Sequence, residues 1–169
     1  MNPEDKLTEL HDALILCEIH FQRMSYAFGK LKNFFPLTPD GFSQLTFDDL
    51  SYSDQLIFRF SKLQDSMGTK LFPSILESLG EDIRGIPFID LLNNMEKLNL
   101  LDDQQEWFTL RETRNIVTHE YPFNNQDIME GLNILSNQVL VLNRIYIKLK
   151  DYIFSRFQIQ PSNTGNFPE

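Results

Sequence analysis

A chain of 169 residues, 41% hydrophobic and 23% charged, has the size and composition of one globular domain with a real core, and neither figure suits a disordered chain. Its single cysteine, Cys17, excludes an internal disulfide and any metal site built on several thiolates. The formal net charge of −9 opposes broad attraction to a phosphate backbone but does not exclude a local basic cleft. The opening MNPEDKLTEL is acidic without an apolar run, so no secretion signal is expected there. No stretch approaches the roughly 20 apolar residues that span a bilayer, and the expected location is the cytoplasm.

Leu7, Leu10, Leu14, Cys17, Phe21, Met24, Phe28 and Leu31 recur in steps of three and four, which predicts a helix from about Pro3 to Phe35. Pro3 suits the first turn, Glu4 and Asp5 complement its dipole, and Pro36 stops it. Residues 36–53 carry two prolines and a glycine with no sustained period, which predicts a long connection with room for one short helical turn. Ser53 then reads as the N-cap of a second helix, with Leu56, Phe60, Leu63, Met67 and Leu71 on one face. Pro73 should kink or break it, and Gly80 should end its continuation. A third helix is expected from about Pro87, with Phe88, Leu91, Leu92, Met95 and Leu98. A fourth runs from Asp102 or Asp103 to about His119, because Pro122 disfavours a helical Tyr121.

The last helix, expected over about 125–157, carries Ile128, Leu132, Leu135, Val139, Leu142, Tyr146, Leu149 and Ile153 in the same alternation. The polar tail, residues 158–169, should be mobile. These elements predict an all-α fold: one antiparallel bundle of four to five helices over residues 1–157, two of them long. The long stripes either fill the monomer's own core or leave a flank for a second copy.

One segment is harder to explain by packing. The stripe of the fourth helix reads Trp107, Leu110, Arg114, Val117, Tyr121, so an arginine takes an aliphatic position, which is costly unless paired or in a polar cleft. Glu112, Asn115 and His119 run alongside it. Arg114 and His119 are five apart, about 140° around an ideal helix, yet a long arginine near a helix end can converge with the imidazole on one ligand. At the negative end of the helix dipole the ring should titrate near neutrality, as a general acid or base requires. Arg114 suits a phosphate and the charge developing on it, and the Asn115 carboxamide could orient the imidazole ring or the phosphate. These are the parts for metal-free RNA cleavage.

The pattern Arg114-Asn115-x-x-x-His119-x-Tyr121 resembles the motif of HEPN domains. In the form Arg, four residues, His, x, Tyr, it is similar to HepT-type toxins encoded beside a minimal nucleotidyltransferase antitoxin. The resemblance implies a metal-independent ribonuclease without a cofactor, with Arg114 and His119 as the catalytic pair and Asn115 as the polar residue after the arginine. It implies that Tyr121 is the hydroxyl that the nucleotidyltransferase modifies with AMP, silencing the toxin. It also implies a homodimer in which two motifs face one cleft, with RNA as substrate. The other reading it allows is a non-enzymatic binding module, a companion of a nucleotidyltransferase.

Structural alternatives stand beside each role: a salt bridge for Arg114, a helix C-cap for His119 and a bundle-edge aromatic for Tyr121. His11 and His20 are nine apart, read as solvated or interfacial, and no zinc site is expected. Asp65 is a candidate partner for Arg114. Arg144, Lys148, Lys150 and Arg156, with Lys30 and Lys32, either border an RNA cleft or balance acidic neighbours, and Asp102, Asp103, Glu106, Glu112 and Glu120 weigh against RNA.

Overall fold

The structure, a computed structural model, describes residues 1–119 and 124–161. Among the described residues every regular element is helical, and the helices pack as bundles: α1 (Pro3–Leu31), α2 (Pro39–Ser43), α3 (Phe47–Ser66), α4 (Phe72–Ser78), α5 (Phe88–Lys97), α6 (Gln104–Thr118) and α7 (Asn125–Phe157). The all-α expectation holds, with the two long helices, α1 and α7, where the stripes place them. The count exceeds four to five because the connection folds into α2 and the second helix divides into α3 and α4. No described helix is long and apolar enough to cross a membrane.

The chain divides into two compact units. The first takes Met1–Ile19, Asp65–Gln105 and the residues from Arg144 onward; the second takes His20–Gln64 and Glu106–Asn143. The early part of α1 thus shares a unit with the late part of α7, and the late part of α1 with the early part of α7.

In the first unit Leu10, Leu14 and Cys17 of α1 are fully buried, as are Ile75 and Leu76 of α4, Leu92 of α5 and Leu149 of α7. Each large aliphatic side chain so buried stabilises the fold by about 1.5–3 kcal/mol relative to exposure. Helical backbone continues through Pro73 without a gap: the proline sits in the first turn of α4, and a π-helical turn, Met67–Leu71, joins it to α3. The wider turn accommodates a proline that has no N–H to offer the carbonyl four residues back. Gly80, at φ 90°, ends α4 in a Schellman cap, with Glu81 N–H on the Leu76 carbonyl at 3.0 Å and Gly80 N–H on Glu77 at 3.1 Å. Asn99, at φ 56°, closes α5 the same way, its successor Leu100 bonding the Met95 carbonyl at 2.9 Å.

In the second unit Met24 and Ala27 of α1, Leu56 and Phe60 of α3, Trp107 and Leu110 of α6, and Val139 of α7 are fully buried. The connection after α1 is clamped to α7: the Leu37 N–H donates to Asn133 Oδ1 at 2.6 Å, and Asn133 Nδ2 donates to the Leu37 carbonyl at 3.0 Å.

Three boundaries and one environment differ from the sequence expectation. α1 ends at Leu31 rather than Phe35, followed by a 3-10 turn, Lys32–Phe34. Pro36 cannot supply the N–H that the Lys32 carbonyl would need in an α-helix, and Phe35 N–H reaches that carbonyl instead at 3.4 Å. α3 starts at Phe47, so Ser53 is not its cap. Thr46 and Asp49 form a reciprocal capping pair, Asp49 N–H to Thr46 Oγ1 at 3.2 Å and Thr46 N–H to Asp49 Oδ2 at 2.9 Å. Ser53 lies inside the helix, buried, with its hydroxyl on the Asp49 carbonyl. α6 stops at Thr118, one residue short of His119. His20, expected at a solvated or interfacial position, is buried at 8% exposure. The tail's first residues, Ile159 to Pro161, line a cavity with Glu18, Lys150 and Phe154, and residues 162–169 lie outside those described.

Candidate functional site

α6 is positioned by its ends and its buried row. Asp103 Oδ1 accepts the Gln105 N–H at 2.8 Å, capping the first turn, and Glu106 adds a negative charge there. Trp107, Leu110 and Thr113 are buried. Later in the helix, α7 approaches at Gly131: a Cβ built there would stand 3.9 Å from both Ile116 and Val117. The motif turn therefore packs directly on the second unit's part of α7.

Arg114 continues the Trp107–Leu110 row, as the sequence spacing requires, and is half-buried. Its Nη1 donates to Asn115 Oδ1 at 3.4 Å, a contact with the guanidinium itself, which the sequence expectation of a ring or a phosphate as Asn115's partner did not include. The Thr118 hydroxyl donates to the Arg114 carbonyl at 2.8 Å, satisfying a carbonyl that the helix end would leave open. His119 is the first residue beyond the helix and is exposed. The arrangement thus offers a partly desolvated cation, oriented by a neighbouring amide, and an imidazole that solvent can reach. Tyr121, with Glu120, Pro122 and Phe123, lies outside the described residues. Asp65 falls in the first unit and Arg114 in the second.

The basic residues of α7 are mostly committed elsewhere. Arg144 and Lys148 both pair with Asp102, at 3.3 and 2.5 Å, which holds that carboxyl below the usual carboxylate range, through Lys148 above all. Lys150 Nζ bonds both oxygens of Glu18 at 3.0 and 3.1 Å, and the Tyr146 hydroxyl donates to Glu18 Oε2. Tyr146 is fully buried, and burial, then the Glu18 carboxylate, pushes its phenol far above the usual range. Burial likewise pushes the Cys17 thiol up to about 12, which makes it a poor nucleophile at neutral pH. These three basic side chains serve acids of their own chain.

A second cluster has no counterpart in the sequence expectations. Arg59 Nη1 donates to His20 Nδ1 at 2.9 Å, linking α3 to α1. Arginine can only donate, so Nδ1 carries the lone pair and the ring is neutral. Burial, reinforced by the charges of Arg59, Lys62 and Arg23, pushes the imidazole down to about 4. The residues stand thirty-nine apart in sequence, and no local pattern pairs them. Among the described residues no group of three His, Cys, Asp or Glu side chains is placed to hold a metal ion.

Set against protein-family models, curated proteins and solved structures, the chain matches none of them.

Proposed function

We propose that this chain is a HEPN-type toxin, a homodimeric ribonuclease that cleaves RNA without a metal ion through Arg114, Asn115 and His119. One observation supports this reading above the rest. A half-buried arginine continues the buried row of a helix, is oriented by the asparagine beside it, and is followed at the helix end by an exposed histidine.

The chemistry follows from those groups. An imidazole takes the proton of a 2′-hydroxyl, and that oxygen attacks the adjacent phosphorus. The bond from phosphorus to the 5′-oxygen of the next nucleotide breaks as a second imidazolium protonates that oxygen. The products carry a 2′,3′-cyclic phosphate and a 5′-hydroxyl. The Arg114 guanidinium stabilises the charge on the five-coordinate phosphorane, worth about 100- to 1,000-fold in rate. One chain supplies one motif histidine, and a dimer with both motifs in one cleft supplies the base and the acid. A minimal nucleotidyltransferase antitoxin would silence the site by transferring AMP to the Tyr121 hydroxyl.

Cleavage of total cellular RNA by the purified chain in EDTA tests this reading. The parent should cut, His119→Ala should lose about 100- to 10,000-fold, and Arg114→Ala should fall comparably with its helical content intact. A second reading has its own support. Glu106 and Glu112 on α6, with Asp103 just before it, oppose a phosphate chain. A folded parent that does not cut RNA would favour a binding module that docks the nucleotidyltransferase and presents Tyr121 to it.

A further inference from the structure

Within the second unit α1 and α3 pack in antiparallel register along one seam, and three contacts fix it. Tyr52 meets Tyr26 edge to face at 6.1 Å, Gln55 Nε2 donates to the Arg23 carbonyl at 3.1 Å, and Arg59 donates to His20 at 2.9 Å. The positions on α1 ascend 20, 23, 26 while those on α3 descend 59, 55, 52. Steps of three on α1, and of four and three on α3, bring these residues to one line.

Cations and exposed aromatic rings interleave along that line. Phe58 is 51% exposed, with the Arg59 guanidinium 5.1 Å and Lys62 Nζ 5.6 Å from its ring centre. Tyr26 is 57% exposed, with Lys30 Nζ at 5.3 Å. Arg23 lies between. From residue 20 to residue 30 of α1 the seam runs about 15 Å, enough for a few nucleotides of an extended strand.

The decisive feature is what holds Arg59. Four cations outside the seam are neutralised by a carboxylate: Arg84 by Asp82, Arg144 and Lys148 by Asp102, Lys150 by Glu18. Arg59 is instead oriented by a neutral imidazole, itself buried to 8% exposure. A neutral acceptor fixes the guanidinium without cancelling its charge. Among the described residues neither Arg59 nor Lys62 makes an ion pair. In a chain of net charge −9 the placement of these cations together is not an average property of the surface. Asp48 acts on Tyr52 at one end, and Asp54 lies one turn before Phe58 on α3.

We infer that this seam binds single-stranded nucleic acid, phosphates on Arg59 and Lys62 and unstacked bases on Phe58 and Tyr26. Cations tracking a backbone beside rings that stack on bases are the recognised physics of such surfaces, and every base offers a π-face. The inference rests on the ribonuclease reading only for taking RNA as the natural strand. The same unit carries Arg114 and His119, and the seam would hold substrate without touching the reacting phosphate.

The test is fluorescence anisotropy of the full chain with short labelled 2′-O-methyl oligouridylate and oligodeoxythymidylate, neither of which has a 2′-hydroxyl to attack, in EDTA across a salt series. Both strands share phosphodiester and base chemistry, so both should bind the parent. Phe58→Ala and Lys62→Glu alter exposed side chains and should each weaken binding at least about tenfold with unchanged helical content. Arg59→Ala with Lys62→Ala should flatten the log–log salt dependence by about 0.7 per lost contact. Parent-like binding by Lys62→Glu and Phe58→Ala would overturn the inference, as would equal competition by polyglutamate, which would make the seam a site for acidic proteins. Cutting by a parent whose RNA affinity ignores the seam variants sinks the seam and spares the nuclease reading. Seam-dependent binding without cutting does the reverse.

Discussion

Glu18 and His20 are two residues apart on α1, both polar and both buried, yet they hold their basic partners in opposite ways. Glu18, in the first unit, is an anion with 8% side-chain exposure that accepts a hydrogen bond from the Tyr146 hydroxyl and two from Lys150. Its attraction for Lys150 is consumed internally. His20, in the second unit, is neutral and gives Arg59 only a lone pair. The first arrangement ties helices together and offers little to a ligand. The second fixes a cation in place and leaves its charge available. A buried polar residue is thus informative about function only once the charge left on its partner is known.

Acid should separate the two clusters most. His20 has a folded-state value of about 4, below its ordinary 6.5, so its contribution to stability is present above pH 6.5 and is lost as pH falls through about 4. His20→Gln keeps a neutral acceptor without the titration. Urea midpoints at pH 7 and pH 4 should therefore fall less for His20→Gln than for the parent. Equal losses would mean that the ring is not held neutral by Arg59, Lys62 and Arg23.

The next effect belongs to the ion pair. Lys150→Met leaves the Glu18 carboxylate buried without its ammonium partner, and should cost about 2 kcal/mol, less than a fully buried pair because Lys150 is 33% exposed. Adding Glu18→Gln removes the stranded charge and should recover part of that loss in the same unfolding assay. A double variant no better than the single would show that the charge of Glu18 is not what matters.

Smaller again is the cap that sets the register of α3, and with it Arg59. Thr46→Ala should cost about 1 kcal/mol by denaturant unfolding, whereas Ser53→Ala should cost less, since its hydroxyl only bonds back to the Asp49 carbonyl. The opposite order would restore Ser53 as the start of the helix.

The unequal legibility of these regions has a physical basis. α7 is readable to its ends because its stripe is unbroken and Asn124 caps it, Oδ1 accepting the Asp127 N–H at 3.2 Å. The motif turn is readable because spacing alone puts Arg114 on the Trp107–Leu110 row. The start of α3 is misleading because Ser53 follows an irregular stretch, although Thr46-x-x-Asp49 carries the capping signal. Neither buried cluster can be seen locally. Tyr146 and Lys150 stand 128 and 132 residues from Glu18, and a cation in sequence carries no mark of the acid that will claim it. The α7 cations look like a basic face for that reason, while the seam cations are scattered over two helices and look like nothing.

The most direct test of the central claim is the chemistry of the ends left when the purified parent cuts RNA in EDTA. Attack by the 2′-hydroxyl, driven by His119 and Arg114, predicts 2′,3′-cyclic phosphate and 5′-hydroxyl ends, absent from His119→Ala digests. Ends bearing a 3′-hydroxyl and a 5′-phosphate, or no cleavage by a folded parent, would contradict it.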